Sequence, residues 1–186
     1  MRIIAGEFRS RRLQTPRGFD TRPTSDRLRE TLFNVLGPRI QGARFADLYA
    51  GSGAVGLEAL SRGAAFVWFA EKAPAALAAI RANLSALKIT DRYAVEDRGV
   101  ARLLQNQLTA DIVFLDPPYD AASEYRTTLE ALGRVLAPDA LVIAEHTSRQ
   151  PLPDRLGQLR RTRLLEQGDA ALSFYQLDTS ELVAQN

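Results

Sequence analysis

A strand, a glycine-rich turn and a helix follow one another between residues 44 and 62, and this pattern restricts the fold most. The predicted strand covers 44–49, the turn has the spacing Gly51-x-Gly53-x-x-Gly56, and the predicted helix covers 54–62. Glycines at this spacing allow a tight turn, close packing of helix on strand and close approach of backbone to a ligand. The pattern therefore predicts the first unit of a parallel α/β sheet.

Strands and helices continue to alternate along most of the remaining chain. Predicted strands at 66–71, 93–97, 111–116 and 140–145 alternate with helices at 74–87, 100–107 and about 123–136, and a terminal hairpin covers 162–167 and 171–177. This alternation predicts a parallel sheet with helices on both faces. In a doubly wound sheet of order 3-2-1-4-5, the first and fourth strands are neighbours, so their carboxyl ends share one edge.

Composition is ordinary for one globular domain. The 186 residues are 46% hydrophobic and 25% charged, and no apolar run approaches the roughly 18 residues of a membrane span. The first residues carry charge too early for a signal peptide, so we expect a cytoplasmic protein without membrane contact. The chain contains no cysteine, which excludes disulfides, thiolate metal sites and thiol nucleophiles.

Positive charge is concentrated in the first quarter of the chain. Residues 1–44 contain ten arginines and four acids (+6), whereas the remainder has 14 basic and 18 acidic residues (−4). Arginine makes up 22 of the 24 basic residues, a bias that the base composition of the genome can produce. The clustering of these arginines in the first quarter favours a polyanionic partner over a merely solvated face.

Residues 1–20 predict a small basic hairpin, which we separate from a main domain over 21–186. The hairpin has too few apolar residues for a core of its own, so we expect it either to pack on the main domain or to become ordered when a partner binds. A helix is predicted to begin at Thr24, its N-cap, and to end at Gly37-Pro38. Arg29 lies off its apolar stripe of Leu28, Leu32, Val35 and Leu36 and is expected to face solvent or a nucleic acid. The arginines expected to contact phosphates are Arg2, Arg9, Arg11, Arg12, Arg17, Arg22 and Arg27.

Two acids flank the glycine turn and narrow the choice of ligand. Glu71 ends the second strand about 20 residues after the turn, where its carboxylate can bind both hydroxyls of a ribose. This spacing also fits a nicotinamide dinucleotide. Asp47, just before the turn, would repel a pyrophosphate and favours a ligand with an ammonium group, as in S-adenosylmethionine. A structural turn with solvated acids is the alternative.

A stiff turn rich in acceptors follows the fourth strand. The apolar run at 112–115 ends in Asp116-Pro117-Pro118-Tyr119, where two prolines remove two backbone donors and restrict two φ angles. The Asp116 carboxylate and the Pro117 carbonyl are acceptors, and Tyr119 offers a flat ring. This combination suits the exocyclic amine of a nucleobase. An Asp-Pro turn that only closes the strand is the alternative.

Over nearly its whole length the chain resembles the RsmD family of 16S ribosomal RNA guanine-N2 methyltransferases. The matching segments are 2–6, 21–24, 26–27, 29–30, 32–34, 47–63 and 116–119. The resemblance implies an α/β class I (Rossmann-like) fold of sheet order 3-2-1-4-5-7-6, with S-adenosylmethionine as cofactor. It also implies methyl transfer to the N2 amine of one guanine in 16S rRNA, within an assembling or complete small ribosomal subunit. We expect a monomer without a metal ion.

The resemblance also assigns roles to residues. The catalytic turn is Asp116, Pro117, Pro118 and Tyr119. The cofactor site is expected from Asp47, Tyr49, Gly51, Ser52, Gly53, Glu71, Lys72 and Asp97. The chain departs from the family pattern at Arg98-Gly99-Val100, where many such enzymes have an acid that binds the adenine amine. Asp97, the nearest acid, is one candidate for that role, and backbone groups are the alternative. Glu145 and His146 follow the fifth strand near the substrate edge, with a structural role for His146 favoured.

Three other functions share some of these features. An adenine-N6 DNA methyltransferase or another RNA amino-methyltransferase would share the turn at 116–119. A nicotinamide-dependent oxidoreductase would share the glycine turn and Glu71. A non-catalytic RNA-binding factor of ribosome assembly would need only the basic extension.

Overall fold

The computed structural model describes residues 1–16, 24–105, 108–118 and 122–179. Its strands are β1 (Arg44–Leu48), β2 (Phe66–Ala70), β3 (Tyr93–Glu96), β4 (Ile112–Leu115), β5 (Leu141–Thr147), β6 (Arg155–Leu156), β7 (Leu159–Gln167) and β8 (Ala170–Leu177). Its helices are α1 (Asp26–Leu36), α2 (Ala54–Ser61), α3 (Pro74–Ala86), α4 (Val100–Gln105) and α5 (Ala122–Val135), and a 3₁₀ turn at Gly37–Ile40 follows α1.

One eight-stranded sheet has the order β3-β2-β1-β4-β5-β8-β7-β6. Strands β1 to β5 pair in parallel, and β8, β7 and β6 continue the sheet in antiparallel fashion. The doubly wound architecture and the terminal hairpin beside β5 are confirmed. The two-residue strand β6 adds an edge that the sequence pattern did not predict, because a strand this short has no readable alternation.

Strands β1 and β4 lie at the centre of the sheet and separate two apolar layers. On one face, Phe45 and Phe114 join a cluster that includes helices α1, α2 and α3. On the other, Leu48 and Leu115 join a cluster with α4 and α5. All four residues of β4 are buried, as expected for a strand covered on both faces. The pairing of Leu48 with Leu115 brings the carboxyl ends of these two strands together.

Packing of α2 on β2 requires glycine at position 56. A Cβ atom added to Gly56 would lie 2.4 Å from Cε1 of Phe69 and 2.9 Å from Cγ1 of Val67. The third glycine of the motif therefore allows close contact between helix and strand. This contact determines where the first turn of α2 lies relative to the end of β1.

Helix α1 differs from its prediction in two respects. Its N-cap is Ser25, whose Oγ accepts a hydrogen bond from the amide of Leu28 at 3.1 Å, whereas the Thr24 hydroxyl bonds Glu145. The prediction that Arg29 faces solvent or a nucleic acid is wrong, because its side chain is fully buried. Arg29 lies beside Leu28 and Leu32 on the face that the N-terminal residues cover. Within the described ranges, no helix combines the length and apolar character needed to cross a membrane.

Candidate active site

The carboxyl edge of β1 and β4 brings the two sequence motifs together. Asp47 lies in β1 just before the glycine turn, and Asp116 directly follows β4. Leu48 pairs with Leu115, and the amide of Asp116 donates to the carbonyl of Leu48 at 3.4 Å. The arrangement predicted from a 3-2-1-4-5 sheet is therefore present, with the acceptor-rich turn adjoining the glycine turn.

The glycine turn has a backbone that L side chains rarely adopt. Tyr49, Gly51 and Gly53 have φ angles of 61°, 55° and 75°, and the amide of Gly53 donates to the carbonyl of Ala50 at 2.7 Å. A Cβ on Gly53 would lie 3.2 Å from Ile80 and 3.3 Å from Phe69. At Gly51, no atom of the described residues beyond its two chain neighbours lies within 4 Å of the same position. The turn thus packs against the core at Gly53 and presents its backbone outward at Gly51.

Asp47 is buried, and its pKa is raised. Its side chain is 1% exposed, and Oδ2 accepts a hydrogen bond from the amide of Gly56 at 2.8 Å. Burial raises the pKa of Asp47 to about 8, although the Gly56 hydrogen bond opposes the shift and the charge of Glu71 adds to it. A positive charge near this carboxyl would favour its ionised form.

Glu71 spans the turn from the end of β2. Its Oε2 accepts from the amide of Gly51 at 2.9 Å, and its Oε1 accepts from the amides of Lys72 at 2.8 Å and Ala73 at 2.9 Å. These bonds hold the carboxylate at the rim of the turn. The side chain is only partly buried, so it can exchange backbone partners for a ligand's hydroxyl groups.

The remaining predicted cofactor residues divide into two groups. Tyr49 and Ser52 are built into the turn: the Tyr49 hydroxyl lies 2.8 Å from Oγ1 of Thr128 on α5, and Ser52 is 8% exposed. Lys72 and Asp97 are exposed. Asp97 forms a 3.5 Å ion pair with Arg81, both side chains being more than half exposed. Its carboxylate stays at the rim of the crevice, near the loop after β3.

Asp116 lies in a group of acids. Strand β5 pairs with β4 and contains Glu145. Glu145 is 4% exposed and accepts a hydrogen bond of 2.6 Å from the Thr24 hydroxyl. Burial and the charges of Glu145 and Asp47 raise the pKa of Asp116 well above its usual value. Pro117 is buried and Pro118 exposed, while Tyr119 lies outside the described residues.

His146 has a structural environment. Its ring is 3% exposed, with Nε2 2.8 Å from Oγ of Ser173 and Nδ1 2.9 Å from the carbonyl of Thr147. Burial lowers the pKa of His146. These contacts join β5 to β8, in line with the structural role favoured from sequence. Among the described residues, no group of three or more His, Asp and Glu side chains is arranged to hold a metal ion.

The chain matches one protein family over most of its length. The family model described as Conserved hypothetical protein 95 matches residues 1–176. Ribosomal RNA small subunit methyltransferase D of Escherichia coli K12 is 39% identical over 178 residues, which are 95% of this chain and 89% of the relative. The chain belongs to the RsmD family.

Solved structures agree with this assignment. A protein of Escherichia coli, yhhF, which carries a provisional methyltransferase description, superposes with a TM-score of 0.85 at 35% identity over 97% of this chain and 99% of its own. A more distant protein, SMU.776, described as complexed with SAH, has a TM-score of 0.66 at 14% identity over 82% of this chain and 49% of its own. The second likeness concerns the fold alone.

In this RsmD-family chain, the basic extension leans on the body. We call Met1–Pro16 the N-terminal arm. Its strands are reduced to one antiparallel bridge between Arg2 and Arg12, and its apolar residues Ile3 and Leu13 are buried in the core. The predicted phosphate contacts Arg2, Arg9, Arg11, Arg12 and Arg27 are all exposed, whereas Arg17 and Arg22 lie outside the described residues.

Sequence reasoning missed the residues that hold the arm. Glu58 of α2 is fully buried and accepts hydrogen bonds from the amides of Ile4 at 2.8 Å and Ala5 at 3.0 Å. Asn83 of α3 is 1% exposed and bonds Gln14. In both helices, the position of the polar residue in the sequence pattern could have revealed that it is buried. Glu58 lies in a segment without a polar face, and Asn83 lies on the same stripe as Ile80 and Leu84.

Proposed function

We propose that this protein transfers a methyl group from S-adenosylmethionine to the exocyclic N2 amine of a guanine in small-subunit ribosomal RNA. The observation that carries the proposal is the shared edge of β1 and β4, where the glycine turn and the Asp116-Pro117 acceptors adjoin. Membership of a methyltransferase family supports the reaction class. The finer assignment, guanine N2, rests on the family resemblance and on the chemistry of the turn.

The residues of the crevice fit the cofactor. Asp47 would face its ammonium group and Glu71 its ribose hydroxyls. Gly51 offers backbone that a ligand can approach, since in the described part of the chain only its chain neighbours lie within 4 Å of its Cβ position. S-adenosylmethionine supplies a methyl group on a positively charged sulfur. The acids of the crevice are suited to such a ligand, because Asp47 and Asp116 have raised pKa values that a cation would lower.

The turn after β4 would orient the substrate amine. The lone pair of a guanine amine is delocalised into the ring, so the nitrogen is a poor nucleophile until its hydrogens are held. The Asp116 carboxylate and the Pro117 carbonyl accept these two hydrogens and direct the lone pair toward the glycine turn. Asp116 must be ionised to do this. Positioning and stabilisation of the charge that develops on nitrogen supply the rate enhancement.

The substrate base must leave its stack to reach this turn. Tyr119 would stack on the extruded base, a contact worth about 1–3 kcal/mol. After transfer, the amine proton leaves to Asp116 or to water. The arginines of the N-terminal arm would bind phosphates and position the RNA on the same molecule.

Methyl transfer to small ribosomal subunits tests the proposal directly. Subunits lacking the modification are incubated with tritiated S-adenosylmethionine, and the labelled nucleoside is identified after digestion. We expect N2-methylguanosine from 16S rRNA with the wild type and about 10²–10³-fold slower transfer with Asp116→Asn. Asp111→Asn, at the exposed start of the same strand, is the matched control and should retain activity. Label in N6-methyladenosine, or no transfer by the wild type, would contradict the proposal.

A further inference from the structure

The two ends of the N-terminal arm meet at the glycine turn. The side-chain amide of Asn83 accepts from the backbone amide of Gln14 at 2.7 Å and donates to the Gln14 carbonyl at 3.0 Å. The same nitrogen donates to the carbonyl of Ser52, also at 3.0 Å. From the other end of the arm, Sδ of Met1 lies 3.8 Å from Oγ of Ser52. One buried side chain therefore joins the arm to the middle of the turn.

The middle of the arm is fastened to the helix that leaves this turn. Besides the two amides held by Glu58, Ser61 donates to the carbonyl of Ala5 at 2.6 Å and accepts from the amide of Phe8 at 3.0 Å. A Cβ atom on Gly6 would lie 1.8 Å from the carbonyl oxygen of Ser61, so the backbones are in direct contact. The arm, the turn and α2 therefore form one hydrogen-bonded unit.

Asparagine is well matched to this junction. Its amide has one acceptor and two donors, and all three are used by backbone groups of Gln14 and Ser52. An aspartate would place a carboxylate against two carbonyl oxygens. An apolar residue would leave buried backbone groups without hydrogen-bond partners. The residue therefore links two segments that are 31 and 69 positions away from it.

We infer that Asn83 is a positioning residue that couples RNA binding on the arm to donor binding at the glycine turn. The inference rests on the proposed function, because it assigns the arm's exposed arginines to RNA and the turn to S-adenosylmethionine. RNA that holds the arm in its docked arrangement also holds the Ser52 carbonyl and the turn. By thermodynamic reciprocity, a donor bound at the turn strengthens the binding of RNA to the same degree.

The coupling is measured as a ratio of dissociation constants. Equilibrium dialysis with radiolabelled S-adenosylhomocysteine, which cannot react, gives its Kd with and without saturating small ribosomal subunits that lack the modification. We expect subunits to tighten binding to the wild type about fivefold or more, within the usual range of allosteric coupling. In Asn83→Asp the ratio should approach one.

A matched pair of variants tests the same junction from the arm. Only the backbone of Gln14 contacts Asn83 in the contacts described above, and its side chain is exposed. Gln14→Ala keeps both bonds and should retain the wild-type ratio. Gln14→Pro lacks the amide hydrogen and should reduce the ratio toward one. This pair also serves if Asn83→Asp fails to fold.

The outcomes separate this inference from the proposed function. A structural role alone would lower the melting temperature and both affinities while leaving the ratio unchanged. A wild-type ratio of one, or an unchanged ratio in Asn83→Asp and Gln14→Pro, would overturn the coupling. Wild-type protein that binds no S-adenosylhomocysteine would contradict the proposed function itself. If the donor binds but the subunits do not, the arm's role in RNA binding and the coupling both fail.

Discussion

Two groups of charged side chains, one in the crevice and one under the arm, differ in composition. In the crevice, Asp47, Asp116 and Glu145 are all acids. Under the arm, Glu58 lies between two cations, 2.7 Å from Nε of Arg62 and 3.7 Å from Nε of Arg29. With Asp26, which lies 3.0 Å from Arg29, the group under the arm contains two acids and two cations. In the crevice, burial raises the pKa values of Asp47 and Asp116, and the charges of neighbouring acids add to both shifts.

This difference separates structural charge from functional charge. Opposite charges under the arm satisfy backbone groups and join segments that are distant in sequence. Acids that are crowded together destabilise one another's ionised forms, and such clusters occur where a ligand or a reaction requires them. The comparison predicts that the mixed group will respond to mutation chiefly in stability, and the acidic group chiefly in activity and pH dependence.

The largest effect is expected at Glu58. Glu58→Ala removes the buried one of the two acids that pair with fully buried Arg29, whose pKa is already lowered by burial, and frees the amides of Ile4 and Ala5. Breaking a buried pair in this way costs about 3–5 kcal/mol. Urea unfolding should show the loss, while Glu30→Ala, exposed on α1, should change stability by less than about 0.5 kcal/mol. Equal stability of the two variants would refute the structural role.

Asp116 should show the opposite behaviour. Asp116→Asn removes an acceptor and the charge that opposes Glu145, so transfer should fall about 10²–10³-fold while the melting temperature stays the same or rises. Calorimetry and the tritium assay on the same preparation check both statements. A large loss of stability would place Asp116 with the structural charges instead.

The pH dependence of stability sharpens the comparison at Asp47. Its pKa is about 8 in the folded protein and about 3.9 when unfolded, so the native state holds a proton that the unfolded state releases. Its contribution to stability therefore falls by about 1.4 kcal/mol for each unit of rising pH between about 4 and 8. Asp47→Asn should remove this slope.

Unfolding at pH 5.5 and 7.5 measures this contribution. The change in stability between the two pH values should differ between wild type and Asp47→Asn by about 2–3 kcal/mol. The comparison with the variant is needed because Asp116 and His146 also titrate with shifted pKa values. Parallel pH curves for the two proteins would show that Asp47 ionises normally.

The smallest effects are expected on the outer face of the arm. Arg2 and Arg12 oppose each other across the antiparallel bridge, and like charges in this position are unfavourable by a few tenths of a kcal/mol. Arg12→Gln should therefore stabilise the protein slightly and reduce the salt slope of RNA binding by about one unit. Arg160→Gln on the distant strand β7 should leave the slope unchanged. An unaltered slope in Arg12→Gln would remove this arginine from the RNA surface.

Much of the fold and the crevice could be predicted because their signals are local. The glycine spacing, the apolar run of β4 and the two prolines specify a strand, a turn and their order within a few residues. For a doubly wound sheet of order 3-2-1-4-5, the ends of β1 and β4 were expected to adjoin, as the pairing of Leu48 with Leu115 confirms. The cap at Ser25 was misplaced by one residue, because Thr24 is an equally good cap by type and is taken by Glu145.

The sequence alone determined an α/β sheet and placed Asp47 and Asp116 at the ends of two of its strands, and the strand order came with the family resemblance. Only the tertiary structure decided which charges are buried under the arm. Arg29 was expected outside because it lies off the apolar stripe of its helix, yet the carbonyl of Arg2, 27 residues away, and Glu58 enclose it. Glu58 and Asn83 bond arm residues 54 and 69 positions distant. Burial of a polar side chain depends on which remote segment covers it, and the local sequence pattern contains no information about that segment.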